Sequence, residues 1–287
     1  MGQLMTRLKN LTEHPLFKRA IGTAIYGPIF IGLAYLGGLP FVIGVAALAL
    51  IGVYEFYRMA AQRGYAPSFL WGAAATLAVI LDAYFKSGLL LFVLITWGVG
   101  LLIWLRVRAA FKGSGAKEAA NSNALLANAA LTFAGVLYIG FSLSHAILLR
   151  ELPLGRSLFF AAMLGTAAGD IGAYMIGTNF GRHLLVPRLS PKKTWEGALG
   201  GILVGLAVTA ALMSWMGISL IHGVVLGLLV GAFDLFGDLG ESWLKRLAGV
   251  KDSGAWISGQ GGLLDVIDGF LFVVVVFYYY EVWIIGS

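Results

Sequence analysis

Gly231 to Gly269 reads GAFDLFGDLGESWLKRLAGVKDSGAWISGQGGLLDVIDG and carries six of the fourteen acidic residues of a chain that is 59% hydrophobic. Carboxylates are gathered where such a composition should avoid them, and polar groups kept at that cost mark function. Asp234, Asp238, Glu241, Ser242 and Lys245 recur at i, i+4, i+7, i+8 and i+11, which places them on one helical face. That face leads from an apolar segment to Lys245-Arg246, Lys251-Asp252, a glycine-rich turn and then Asp265 and Asp268. Anion-binding and cation-binding groups are thus expected to stand together near a membrane surface.

Outward from this stretch, a mean hydropathy of +0.87 and 12% charged residues exclude an ordinary soluble domain. The expected fold class is all-α, a polytopic transmembrane helix bundle. A β-barrel would need apolar and polar residues to alternate over about ten positions, whereas whole runs of about 20 residues here are apolar. Nine apolar segments can be drawn, at 20–37, 39–56, 67–84, 88–105, 124–148, 157–177, 196–216, 218–236 and 268–285. The basic residues alternate by loop, with 17 of the 20 Lys and Arg on one side and Lys86, Arg150 and Arg156 on the other. By the positive-inside rule the N-terminus is cytoplasmic and the C-terminus outside.

Residues 1–19 read as a cytoplasmic amphipathic lead-in, 20–156 as an N-terminal transmembrane half, and 157–287 as a C-terminal half carrying the site. The first twenty residues lack the continuous apolar core of a cleavable signal peptide. Met1-Gly2 with Thr6 formally fits a myristoylation pattern, but an ordinary initiator region explains it better. Gly200, Gly201, Gly205, Gly223, Gly227 and Gly231 suit close helix packing. Gly113 to Asn123 is a polar loop without an assignable pattern, and no internal repeat stands out.

The absence of cysteine excludes disulfides and thiolate metal sites, so a metal would be held by oxygen or imidazole. His14, His145, His183 and His222 show no metal-ligand spacing and read as packing or interfacial residues. The run Phe277-Tyr278-Tyr279-Tyr280 with Trp283 reads as an interfacial aromatic belt.

Two loops carry the chemistry. Asp170 lies inside an apolar segment, where an ionised carboxylate costs about 2.5–3.5 kcal/mol on insertion scales, and it requires a cation or lysine partner. Ser190-Pro191-Lys192-Lys193-Thr194-Trp195-Glu196-Gly197 offers two ammonium groups beside a helix start, which suits phosphate oxygens; an ordinary basic loop is the bland reading. In the second loop Asp252, Asp265 and Asp268 are oxygen ligands suited to hard divalent ions. Gly259, Gly261 and Gly262 would let the backbone approach a phosphate or metal. Structural ion pairs, Asp234 with Lys245 for instance, are the competing explanation.

Together the loops resemble the phosphatidate cytidylyltransferases, or CDP-diacylglycerol synthases. That family ends in S-x-x-K-R-x4-K-D-x-[GSA], a P-G-H-G-G turn and D-R-x-D-S. Here stand Ser242-Trp-Leu-Lys245-Arg246, Lys251-Asp252-Ser253-Gly254, then Ser258-Gly259-Gln260-Gly261-Gly262-Leu-Leu-Asp265-Val266-Ile267-Asp268-Gly269. The SPKKTWEG loop and Gly237-Asp238-Leu-Gly-Glu241-Ser242 match as well. The likeness is specific over residues 165–269; the N-terminal half shares only its apolar helices.

The resemblance implies attack of a phosphatidate phosphate on the α-phosphorus of CTP, giving CDP-diacylglycerol and pyrophosphate, with Mg²⁺ and a second cation such as K⁺ allowed. It makes Asp252, Asp265 and Asp268 candidate metal ligands and, with Lys251, the catalytic set. Lys192, Lys193, Lys245, Arg246 and Lys251 become candidates for the phosphates of CTP and phosphatidate. Glu196, Asp170, Asp238, Ser242, Gly261 and Gly262 complete the candidate substrate-binding set. The implied partners are CTP, phosphatidic acid or a related lipid phosphate and membrane lipids, with a homodimer allowed and no nucleic acid. The expected location is a bacterial inner (plasma) membrane with the site facing the cytoplasm.

Four positions depart from the family: its Pro, His, Arg and final Ser are Ser258, Gln260, Val266 and Gly269. Loss of the His removes a titratable group and loss of the Arg a phosphate clamp. The expectation is a diverged paralogue that keeps its metal site. A nucleotidyltransferase for another lipid phosphate is the alternative, and an ion-coupled transporter stands further off, since the charges cluster at one face. The D-G-x2-A-R pattern of CDP-alcohol phosphotransferases is absent.

Overall fold

Long apolar runs leave the backbone no water to bond, so each satisfies its N–H and C=O groups within a helix. A computed structural model describes residues 27–89, 94, 96–104, 118–256 and 261–286. Helices α1 (Gly27–Leu36), α2 (Gly38–Ala61) and α3 (Phe69–Phe85) come first. Residues 96–104 are also helical. Next, α4 (Glu118–Gly135) continues through a π-helical segment, Val136–Phe141, into α5 (Ser142–Arg150). Helix α6 (Gly155–Phe180) is followed by the antiparallel hairpin β1 (Leu184–Val186) and β2 (Ser190–Thr194), paired Leu184 with Thr194 and Val186 with Ser190. Helices α7 (Trp195–Trp215), α8 (Leu220–Ala248) and α9 (Leu264–Tyr280), the last extended by a π-helical segment at Glu281–Ile285, complete the order.

Among the described residues six helices are long and apolar enough to cross a membrane, and α1 and α3 are shorter apolar helices. The architecture is a polytopic helical bundle, as expected. The expected segments 20–37 and 88–105 fall partly outside the described residues and the lead-in 1–19 wholly so; of the expected Gly113–Asn123 loop, residues 113–117 lie outside them and 118–123 are instead the first turns of α4.

Two boundaries are corrected. The segment drawn at 218–236 is the first part of α8, which runs on to Ala248. Hydropathy falls at the carboxylates, and the helical face expected from Asp234 to Lys245 carries the same helix on past them. Gly249 ends it at φ +76°, a conformation natural to glycine. Gly249 N then donates to Arg246 O and Val250 N to Lys245 O. The KKT stretch, expected as a loop, is strand β2.

The glycines act as expected in packing. A β-carbon at Gly223, Gly227 or Gly231 of α8 would stand 2.6–2.9 Å from the Cα of Ala210, Leu206 or Ile202 of α7. One at Gly201 would stand 3.0 Å from Gly169 O on α6. Backbones this close gain dispersion contacts that lipid tails cannot supply. They also draw Asp170 of α6 and Asp234 of α8 to the same end of the bundle. Helix α9 passes through the core, with Leu264, Leu271, Val274 and Phe277 fully buried. At its far end His145 Nε2 lies 3.3 Å from Tyr279 Oη and His222 Nδ1 lies 3.0 Å from Tyr280 Oη, so these histidines serve packing.

Candidate active site

The acidic face of α8 meets lysines at two points. Lys245, one turn after Glu241, pairs with that fully buried carboxylate and donates to Asp265 Oδ1 on α9 at 2.6 Å. Lys245 is therefore the partner of Glu241 and Asp265, and the weighed Asp234–Lys245 pair gives way to these. Asp265 Oδ2 accepts from Ser253 N at 2.9 Å and Gly262 N at 2.7 Å, and Ser253 Oγ lies 3.0 Å away. Both oxygens of Asp265 are thus engaged, and its carboxylate organises the loop as well as facing a cation.

The second point is Lys193, which β2 carries over the end of the bundle to pair with Asp238. Its ammonium also lies within electrostatic range of Asp268, Asp170 and Asp234. Burial pushes the Lys193 pKa below its ordinary value, against the opposing pull of those carboxylates. The ion pair of Lys193 is with Asp238, and its pull on Asp170 is electrostatic. Asp268, one turn beyond Asp265, accepts Gly269 N through Oδ1 at 2.8 Å and shares the field of Glu241, Asp170 and Asp234. The two lysine-centred clusters form one continuous charged region, with Ser242 buried between them on α8.

The hairpin is fixed by three contacts. Thr194 caps α7, its side chain accepting from Gly197 N at 3.1 Å, as the sequence predicted. Glu196 Oε2 accepts from Arg182 N and His183 N at 3.1 and 3.2 Å, and Oε1 lies 2.6 Å from His183 Nδ1, so both oxygens bond to the hairpin. Arg246 Nε donates to Leu189 O and its Nη1 to Val250 O, tying α8 to the hairpin. Lys192, Lys251 and Asp252 are exposed.

Gly261, at φ +103°, keeps its backbone clear of Asp265: a β-carbon would stand 2.6 Å from Oδ2 and 3.3 Å from Asp252 Cβ. One at Gly262 would stand 2.5 Å from Gly254 N. At both glycines the missing side chain leaves room for protein atoms. Ser258, Gly259 and Gln260 lie outside the described residues.

Sequence reasoning missed Glu55 and Ser253. Glu55 is fully buried on α2 and accepts from Leu263 N and Leu264 N at 3.0 and 2.9 Å. The available signal was a carboxylate inside the apolar segment 39–56. Ser253 stood in the quoted motif, but nothing local showed which carboxylates it would join.

Among the described residues no three of His, Asp or Glu converge closely enough to hold a metal between them. The donors are nevertheless hard oxygens clustered about cations, and Mg²⁺ is commonly held by one or two carboxylates plus substrate phosphates. The donor set fits such an ion.

Comparison with known proteins places this geometry in context. The family model described as the cytidylyltransferase family matches residues 17–283. A phosphatidate cytidylyltransferase of Brucella suis is 32% identical over 266 residues, covering 91% of each chain. One from Synechocystis is 30% identical over 296 residues, 92% of this chain and 96% of the relative. One from Mycobacterium tuberculosis is 40% identical over 118 residues, 41% of this chain and 36% of the relative.

Proposed function

The chain belongs to the cytidylyltransferase family, and from that premise we propose that it joins CTP to phosphatidate, giving CDP-diacylglycerol and pyrophosphate. It is an integral membrane nucleotidyltransferase. The observation that carries the reading is the paired arrangement of Lys193 with Asp238 and Lys245 with Glu241 and Asp265 at one end of the bundle.

An anionic oxygen of the phosphatidate phosphate forms a bond to the α-phosphorus of CTP. The α–β bridging P–O bond breaks, and pyrophosphate leaves with the electron pair. The nucleophile is already charged, so the site has little proton transfer to perform. Its work is alignment and charge neutralisation. Lys193 and Lys192 on β2 and Lys251 after α8 would bind phosphate oxygens, while Lys245 keeps Asp265 in place. Asp252, Asp265 and Asp268 would hold Mg²⁺, one or two at a time together with phosphates. That ion would offset charge on the triphosphate and on the leaving group. A second cation such as K⁺ and a homodimer are further parts of the proposal.

The excess of basic residues on one side, 17 of 20, supports a site facing the cytoplasm of a bacterial plasma membrane. Purified protein with labelled CTP, Mg²⁺ and a panel of lipid phosphates tests the reading. The expected result is CDP-diacylglycerol with one pyrophosphate per turnover. Inert phosphatidate beside a reactive alternative lipid phosphate would select the other acceptor, toward which the changes at Gln260 and Val266 point.

A further inference from the structure

Glu55 lies near the end of α2, far along the chain from the two loops that carry the site motifs, yet both its oxygens reach the site loop. Oε1 accepts from Leu263 N at 3.0 Å. Oε2 accepts from Leu264 N at 2.9 Å and lies 3.2 Å from Ser253 Oγ, the hydroxyl it shares with Asp265. The loop closes around this carboxylate: a β-carbon at Gly262 would stand 2.6 Å from Oε1, and one at Gly254 would overlap it. One turn along α2, Arg58 Nη2 donates to Ser253 O at 3.2 Å. A single turn of α2 therefore grips the chain at 253–254 and again at 262–264, on both sides of the glycine turn.

This grip has a chemical consequence. The first N–H groups of a helix attract anions, and glycine-rich loops before them often cradle phosphate. Here Glu55 takes the amides of Leu263 and Leu264, and Asp265 takes those of Ser253 and Gly262. Four amides that could have met a nucleotide phosphate are committed to protein carboxylates. They set the start of α9 instead, and with it the direction of Asp265 toward Lys245 and the place of Asp268 one turn further on.

We propose that Glu55 is a positioning residue for nucleotidyl transfer: it touches no substrate, and it holds the Ser253–Gly254 and Leu263–Leu264 segments in register so that Asp265 and Asp268 keep their places. The role in catalysis rests on the cytidylyltransferase reading, whereas the grip on the loop can be measured without it. A glutamine at 55 keeps the volume but in either orientation turns its NH₂ group toward the N–H of Leu263 or of Leu264, so donor faces donor.

The chain has no cysteine, so Ala255→Cys, at an exposed position, gives a unique spin-label site beside the grip. The label would be read in the Glu55, Glu55→Gln and Gly254→Val backgrounds, with thermal unfolding in detergent and steady-state kinetics on CTP and phosphatidate. Both variants should mobilise the label and lower kcat about 10- to 100-fold, the usual cost of losing support behind a site. KM for CTP should stay within about twofold, because no substrate contact is removed. An unchanged label in both variants overturns the grip, whatever reaction the protein performs. A mobile label with wild-type kcat, a raised KM at unchanged kcat, or a fall in kcat that tracks thermal stability overturns the positioning role.

Discussion

The carboxylate of Asp234 on α8 lies against the backbone of Gly269 on α9, in the volume that a β-carbon at 269 would occupy. It is wedged from the other side by α6, where a β-carbon at Gly169 would stand 3.7 Å from Oδ2. Position 269 is where the family pattern carries serine, so the glycine gives Asp234 its place beside Asp268. Gly269→Ser should destabilise the protein by about 1–3 kcal/mol, the usual cost of overpacking. Asp234→Ala should relieve that cost, giving a coupling above about 0.5 kcal/mol in a double-mutant cycle of thermal unfolding. Strict additivity would remove the contact from the account.

Lys193 supplies positive charge to carboxylates from three helices. Lys193→Met should lower turnover at least about 100-fold, because those charges would repel the triphosphate as well as one another. Burial lowers its pKa from the ordinary 10.5, so the ammonium is lost as pH rises through a value below that. Activity should therefore show an alkaline limb below pH 10.5, and Lys193→Arg should move that limb upward, since a guanidinium stays charged. A pH–kcat profile identical in wild type and Lys193→Arg would exclude Lys193 as its source.

Asp265→Asn should leave a protein that inserts and purifies but lacks divalent-dependent turnover. The amide loses the charge that faces Lys245 and a hard cation, and its NH₂ group must meet either Lys245 Nζ or the Ser253 and Gly262 amides, all donors. Titration of turnover with Mg²⁺ measures this, and near wild-type activity would refute the assignment.

Val266 is 43% exposed, so an arginine has room where the family pattern carries one. Val266→Arg should lower the KM for CTP or phosphatidate by restoring a phosphate contact. Steady-state kinetics with each substrate varied in turn would show it; a KM unchanged for both would mean that position 266 does not face the phosphates.

Tags at the N-terminus and at Ser287 should report opposite sides of the membrane, as nine spans require. Same-side accessibility in intact cells would overturn that orientation.

The sequence by itself determined the class of fold and the character of the site. Apolar runs of membrane-spanning length require helices, the period of Asp234, Asp238, Glu241 and Lys245 requires one charged face, and glycines four residues apart on α8 require close neighbours. These signals are local and repeat with the helix, so they can be read along the chain. The pairings were decided only by tertiary structure. Nothing local shows that Lys245 turns to Asp265, that both oxygens of Glu196 close a hairpin, or that Gly262 yields space to protein atoms. Least visible was Glu55, whose bonds to Ser253, Leu263 and Leu264 span 198, 208 and 209 residues. A hydrogen bond between a side chain and a distant backbone amide leaves no period and demands no particular residue type at the amide, so it exists only once the helices have packed.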